Sequence, residues 1–256
     1  MHPTLNIGSA TVSTYTVLLF LGCVVGSAIG YLRARRDDLS GRLFLVIAAV
    51  GIVGGLLGAH LWSALVEVGT LTGRLEAANL LRGSGLSIMG GLLLGGSAAA
   101  LAARLAGVSL RAWLDAASPG AAAGIAVGRI GCLMAGCCHG KPTLFPIALV
   151  FDRFDTVARP IGVPLHATQI YESLGAAALA AGLFWMPARP PAHRVCLFVA
   201  GYGLLRAVVE TLRADYRGLV VGIPATLLAA LLAACVGIAA IVYLRIASRV
   251  KITRST

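Results

Sequence analysis

Residues 116–140 read AASPGAAAGIAVGRIGCLMAGCCHG, from Ala116 to Gly140. Between Ala116 and Cys138 the one charged residue is Arg129. A membrane-spanning helix needs about 20 mostly apolar residues, and this run supplies them. It therefore reads as a transmembrane helix. It carries a single guanidinium, then closes on three cysteines and a histidine among glycines.

The rest of the chain has the same character. Of 256 residues, 58% are hydrophobic and 12% charged. Mean hydropathy is +0.89. A soluble domain carries about 25% charged residues, so half that share points to a membrane protein. Six further apolar runs are long enough for helices: Tyr15–Leu32, Leu43–Val66, Gly83–Ala103, Ser173–Ala188 (starting nearer Gln169), Val195–Leu212 and Val220–Leu244. None shows sustained two-residue alternation. The expected fold is an all-α polytopic membrane protein with about seven transmembrane helices. A substantial outer-face loop, residues 139–168, separates helices four and five. Within it Ile147–Phe151 reads as a short strand. Residues 1–256 are expected to form one integral membrane domain.

The net charge is +11. The bases are scattered between apolar runs, so nucleic acid is not an expected partner; the bilayer is. With the N-terminus outside, the inside loops hold twelve of the 21 Lys and Arg residues and the outside loops seven. The positive-inside rule then favours N-out, C-in. The N-terminus lacks a basic n-region and reads as a retained first helix rather than a cleaved signal.

Arg129 and Arg206 remain inside spans. An arginine at mid-membrane costs at least about 2.5–3.5 kcal/mol on the insertion scale. It persists by facing a partner, a capping position or an anionic ligand. Two guanidiniums suit a phosphate, which they grip with paired hydrogen bonds, and the abundant phosphate in a membrane is a lipid headgroup. Tyr202, Arg206 and Glu210 are spaced i, i+4, i+8 and share one helix face. Glu210 can pair with Arg206, and Tyr202 offers a phenol. A second polar patch, His166-Ala167-Thr168-Gln169-Ile170-Tyr171-Glu172, opens the fifth helix, with Thr168 a candidate N-cap.

Cys23, Cys196 and Cys235 read as buried small hydrophobes. Cys132, Cys137 and Cys138 read as packed residues beside a site. Zinc or redox chemistry, and a part in positioning substrate, stay open for them; no metal or cofactor is the expectation. Gly120, Gly124 and Gly128 form a small-residue stripe that packing explains.

These motifs together resemble the bacterial prolipoprotein diacylglyceryl transferases. That family's signature, Gly-Arg-x-Gly-Asn-x-x-x-Gly-Glu-x-x-Gly-x-Pro-Thr, is similar to residues 128–143. Its His-Pro-Ser/Thr-Gln-Leu-Tyr-Glu is similar to residues 166–172. Its Gly-Tyr-Gly-x-x-Arg-x-x-x-Glu-x-x-Arg is similar to residues 201–213. Ile7-Gly8 and Tyr15 fit its beginning.

The resemblance implies a multi-pass protein of the bacterial inner (plasma) membrane. It implies transfer of a diacylglyceryl group from phosphatidylglycerol to the lipobox cysteine thiol of a preprolipoprotein signal peptide. Arg206, Tyr202 and His166 would be catalytic. Arg129, Glu210, Gly140, Gln169, Tyr171 and Glu172 would bind or support the substrate. The chain departs from the family at Met89, where a histidine is usual in Ser-x-His-Gly-Gly. It departs also at Leu56, in place of an arginine, and at Cys132 and Cys137, in place of asparagine and glutamate. His166, His139 or His60 are candidate substitute bases. Two alternatives stay open: a headgroup transferase on this scaffold with another acceptor, and a non-catalytic phospholipid-binding membrane protein.

Overall fold

A computed structural model describes residues 4–7, 10–71, 87–153, 156–187, 191–214, 219–220 and 222–253. Among them are seven helices: α1 Thr14–Arg36, α2 Gly41–Leu71, α3 Ile88–Leu105, α4 Leu110–Ala135, α5 Thr168–Trp185, α6 His193–Leu212 and α7 Ala225–Thr253. Five of them, α1, α2, α4, α6 and α7, are long and apolar enough to cross a bilayer. The other two have 18 residues each, about 27 Å at 1.5 Å per residue. Three antiparallel two-stranded ribbons are described: β1 Thr4–Ile7 with β2 Ala10–Ser13 before α1, β3 Ala148–Val150 with β4 Pro164–His166 between α4 and α5, and β5 Leu219–Val220 with β6 Ile223–Pro224 between α6 and α7.

The chain divides into two compact units, Ala34–Trp113 and the remainder. Within Ala34–Trp113, α2 and α3 pack through glycine. A Cβ on Gly90 would lie 2.1 Å from the carbonyl oxygen of Gly58, and one on Gly95 would lie 2.7 Å from that of Gly51. Only a missing side chain lets two backbones come this close. The Ser87 amide donates to the Ala59 carbonyl at 3.0 Å. Trp113 stacks on Phe44 with centroids 5.7 Å apart. Leu56 and Met89 are both exposed. Residues 83–86, where the third apolar run was expected to begin, lie outside the described residues.

In the other unit, α1 and α4 also meet through glycine. A Cβ on Gly120 would lie 2.1 Å from the Gly26 carbonyl oxygen, and one on Gly124 would lie 2.9 Å from that of Gly22. Gly128 faces open space, so packing accounts for two of the three glycines in the stripe. Gly203 of α6 abuts Ala230 and Ala234 of α7. Ser173 of α5 donates to the Ala126 carbonyl of α4 at 2.8 Å.

The connection between α4 and α5 is ordered around its own apolar cluster. Phe151, Ala158 and Leu165 are buried, with Leu133, Leu149 and Val163 packed against them. The expected strand at 147–151 is β3, paired Ala148↔His166 and Val150↔Pro164. Four expectations are corrected. Cys235 is exposed and Cys23 and Cys196 are half-buried, where all three were expected to be buried. The fourth helix ends at Ala135, not Cys138, because Gly136 turns to φ +74°. The seventh begins at Ala225, because Leu219–Val220 pairs with Ile223–Pro224 as a ribbon, with Gly222 at φ +76°. Thr168 is the first residue of α5 rather than its N-cap; its hydroxyl donates to the Cys138 carbonyl at 2.6 Å instead.

Candidate active site

Glu172, near the start of α5, is 1% exposed. A buried carboxylate is costly unless paired and hydrogen-bonded, and this one is fully engaged. Its Oε1 accepts the Tyr202 hydroxyl at 2.7 Å and lies 2.8 Å from Nη2 of Arg129. Its Oε2 lies 3.2 Å from Nη1 of Arg206. Arg206 Nη2 also pairs with Glu210 one turn along α6. Three helices, α4, α5 and α6, thus converge on one carboxylate.

Glu210 is held in turn. Thr226, at the start of α7, donates its hydroxyl to Oε1, and Arg213 Nε stands 3.8 Å from Oε2. Tyr202 is oriented by stacking on Phe198, with centroids 6.0 Å apart and planes at 11°. Counting Arg129, Arg206 and Arg213 against Glu172 and Glu210, the cluster has three cations and two anions.

The remaining expected residues frame this cluster from the loop. Gln169 Nε2 donates to the Cys137 carbonyl at 2.7 Å, and its buried Oε1 has no hydrogen-bond partner among the described residues. Gly140 donates its amide to the His166 carbonyl at 3.0 Å. A Cβ on Gly140 would fall 2.4 Å from the His166 Cβ and 2.9 Å from the Leu212 carbonyl oxygen, so only glycine fits this junction. The Lys141 amide donates to the Leu212 carbonyl at 2.8 Å, tying the loop to the end of α6. His166 stands in β4 with Nδ1 3.5 Å from the Tyr171 hydroxyl and its ring tilted against Phe145. His166 and Tyr171 therefore form their own pair, while Arg129, Arg206, Tyr202 and Glu210 gather around Glu172.

The cysteines occupy the remaining side of Arg129. Its Nη1 lies 3.9 Å from the Cys132 sulfur and 3.7 Å from the Cys138 sulfur. All three sulfurs of Cys132, Cys137 and Cys138 lie within 4.8 Å of one another, and none is in a disulfide. Beyond the end of α4, hydrogen bonding from Cys132 and then Cys137 holds the Cys138 thiol below the ordinary cysteine range, with Arg213 and Arg129 acting in the same direction. The hydrogen bond to Cys132 pushes the Cys137 thiol up.

Sequence reasoning missed the part played by Thr226 and the convergence of the sulfurs. It placed Glu172 among supporting residues rather than at the centre. The usable signal was the pair of buried arginines: each needs a counter-charge, and Glu172 was one of few acids near a span.

The family model for prolipoprotein diacylglyceryl transferase matches residues 3–244. The phosphatidylglycerol–prolipoprotein diacylglyceryl transferase of Clostridium tetani is 32% identical over 80% of this chain and 82% of its own length. That of Thermus thermophilus is 32% identical over 80% of this chain and 81% of its own. The second such enzyme of Clostridium perfringens is 28% identical over 80% of each. With the long apolar helices described above, these matches identify an all-α, multi-pass membrane protein that belongs to the prolipoprotein diacylglyceryl transferase family.

Proposed function

We propose that this chain is a transferase that moves a diacylglyceryl group from phosphatidylglycerol to the lipobox cysteine thiol of a preprolipoprotein. The observation that carries the reading is the sharing of Glu172 by Arg129 and Arg206. Two guanidiniums from different helices stand one carboxylate apart, which is the spacing a phosphodiester needs to be gripped from both sides. The single glutamate holds them in place before lipid arrives. Glu210 and Thr226 fix the second arginine, so the headgroup meets a preorganised site.

The roles follow. Arg206 and Arg129 hold the phosphate and stabilise the charge that grows on the departing glycerol phosphate. Tyr202, whose hydroxyl lies against Glu172, sits at the reacting centre. His166 serves the reaction from the loop side, paired with Tyr171. Gly140, Gln169 and Glu172 keep the loop and the helices in register with the substrate. The chain works as one membrane domain of seven spans in the bacterial inner membrane, N-terminus outside, C-terminus in the cytoplasm. The 139–168 loop then meets the acceptor peptide on the outer face.

The test follows the leaving group. Phosphatidylglycerol labelled in its glycerol headgroup is mixed with purified protein in micelles and a lipobox peptide. Soluble glycerol phosphate should appear with the cysteine peptide and not with its serine counterpart. Release independent of the peptide thiol would refute the assigned acceptor. It would favour a headgroup transferase with another acceptor, a reading that the three-cysteine loop also suits.

A further inference from the structure

We propose that Cys132, Cys137 and Cys138 form a three-thiolate site for a zinc-class cation, whose fourth position takes the thiol of the acceptor cysteine. The inference rests on the transferase reading for the identity of that thiol. The metal site itself rests on geometry.

Cys132 lies in the last turn of α4, and Cys137 and Cys138 follow it. Two left-handed residues, Gly136 at φ +74° and Cys138 at φ +60°, fold the chain back so that all three sulfurs meet. A non-glycine residue at positive φ is uncommon and persists where its surroundings enforce it. Here α5 enforces it: Gln169 holds the Cys137 carbonyl and Thr168 the Cys138 carbonyl, at 2.7 and 2.6 Å. Cysteines that merely fill space need no such convergence.

The dimensions fit. With zinc–sulfur bonds of about 2.3 Å, the sulfurs of a tetrahedral or trigonal site stand about 3.8–4.0 Å apart. The three sulfurs lie within 4.8 Å of one another, so closing on an ion needs a contraction of less than about 1 Å. Thiolates select soft or borderline cations over magnesium or calcium. Three thiolates on a divalent ion leave one net negative charge. Arg129 lies against the sulfurs of Cys132 and Cys138 and offsets it.

The fourth position is open. His139 is the nearest imidazole in sequence, yet its Nε2 accepts the Arg159 amide at 3.4 Å and its Nδ1 lies 3.2 Å from the Gly140 carbonyl oxygen. Among the described residues no histidine or carboxylate joins the three sulfurs. Three protein ligands with one free position is the pattern of a catalytic zinc site rather than a structural one.

The chemistry the ion would supply is activation of the acceptor thiol beside the arginine cluster. Both carboxylates of the cluster are committed to arginines, and the Tyr202 hydroxyl donates to Glu172. A thiol that binds a cation of this class loses its proton outright. That proton passes to solvent. The bound thiolate attacks the carbon of the diacylglyceryl group that carries the phosphate ester. A carbon–sulfur bond forms and the carbon–oxygen bond breaks. The electron pair leaves on the ester oxygen as glycerol phosphate, held by Arg129 and Arg206. The thioether product, a poor ligand, departs from the ion. Arg129 touches both the sulfurs and Glu172, so nucleophile and phosphate meet across one guanidinium.

The experiment uses the full-length protein in micelles. Zinc content is measured after dialysis, and cobalt(II) is then substituted for optical spectroscopy. Wild type should hold about one zinc per chain, and single Cys132→Ser, Cys137→Ser and Cys138→Ser variants should bind it at least about 10–100-fold more weakly. Cys235→Ser serves as the control that leaves binding unchanged. Adding a lipobox peptide to the cobalt protein should strengthen the sulfur-to-cobalt charge-transfer band; a serine peptide should not. A wild type that takes up no more metal than the variants overturns the site. A cobalt spectrum blind to the peptide thiol overturns its role, as does full transfer by metal-free protein. Should a serine variant fail to fold, the wild-type spectrum still decides. If the cobalt protein gains a fourth thiolate but the zinc protein transfers no diacylglyceryl group, the thiolate site stands and the proposed function falls.

Discussion

Arg129 of α4 and Arg206 of α6 bind opposite oxygens of one buried carboxylate, at 2.8 and 3.2 Å from Glu172. The two guanidiniums are thereby fixed before any ligand is present. Arg206→Ala should lower transfer by about 10²–10³-fold, the loss typical of one preorganised donor at a developing charge. Arg206→Lys should restore little, because a point charge cannot serve Glu172, Glu210 and a phosphate together. Initial rates with saturating lipid check this.

Glu172→Gln removes the shared counter-charge while keeping the shape. Leaving buried charges unpaired costs about 3–5 kcal/mol, so the variant should melt at a clearly lower temperature in detergent. Phosphatidylglycerol should recover more of that loss in Glu172→Gln than it adds to wild type, since its phosphate replaces the missing anion. Thermal unfolding with and without lipid reads both effects.

Thr226 is a positioning residue. Its hydroxyl donates to Glu210, which in turn pairs with Arg206. Thr226→Val should cost about 1–3 kcal/mol of stability by stranding a buried acceptor. It should also lower kcat more than it raises KM. Thr226→Ser should rescue both, which a purely packing role would not predict.

Much of this was legible in the sequence, for physical reasons. Apolar runs mark helices because lipid forbids unpaired backbone, and Arg206 with Glu210 followed from the helical repeat. The strand at 147–151 was visible as a short apolar run, IALVF, within a proline-containing polar connection. What depended on backbone turns was hidden. The sulfurs meet only because Gly136 and Cys138 take positive φ, which no spacing rule encodes. Glu172 was visible as a residue but not as a bridge, since its partners come from two other helices. The start of α7 was misplaced because Leu219–Pro224 is as apolar as the helix that follows.

Gly140 tests the loop junction. Its missing side chain lets the loop pass between His166 and Leu212. Gly140→Ala should cost about 1–3 kcal/mol by overpacking. It should also weaken peptide binding more than lipid binding, because the loop and not the arginine cluster moves. Separate titrations with peptide and with lipid distinguish the two.

The reaction product is the most direct test of the transferase assignment. Purified protein is incubated with phosphatidylglycerol of defined acyl chains and a lipobox peptide, beside Arg206→Ala, and the peptide is weighed by mass spectrometry. The account predicts a cysteine-linked adduct of one diacylglyceryl group with wild type and almost none with the variant. An unmodified peptide from wild-type protein that still binds the lipid would contradict it.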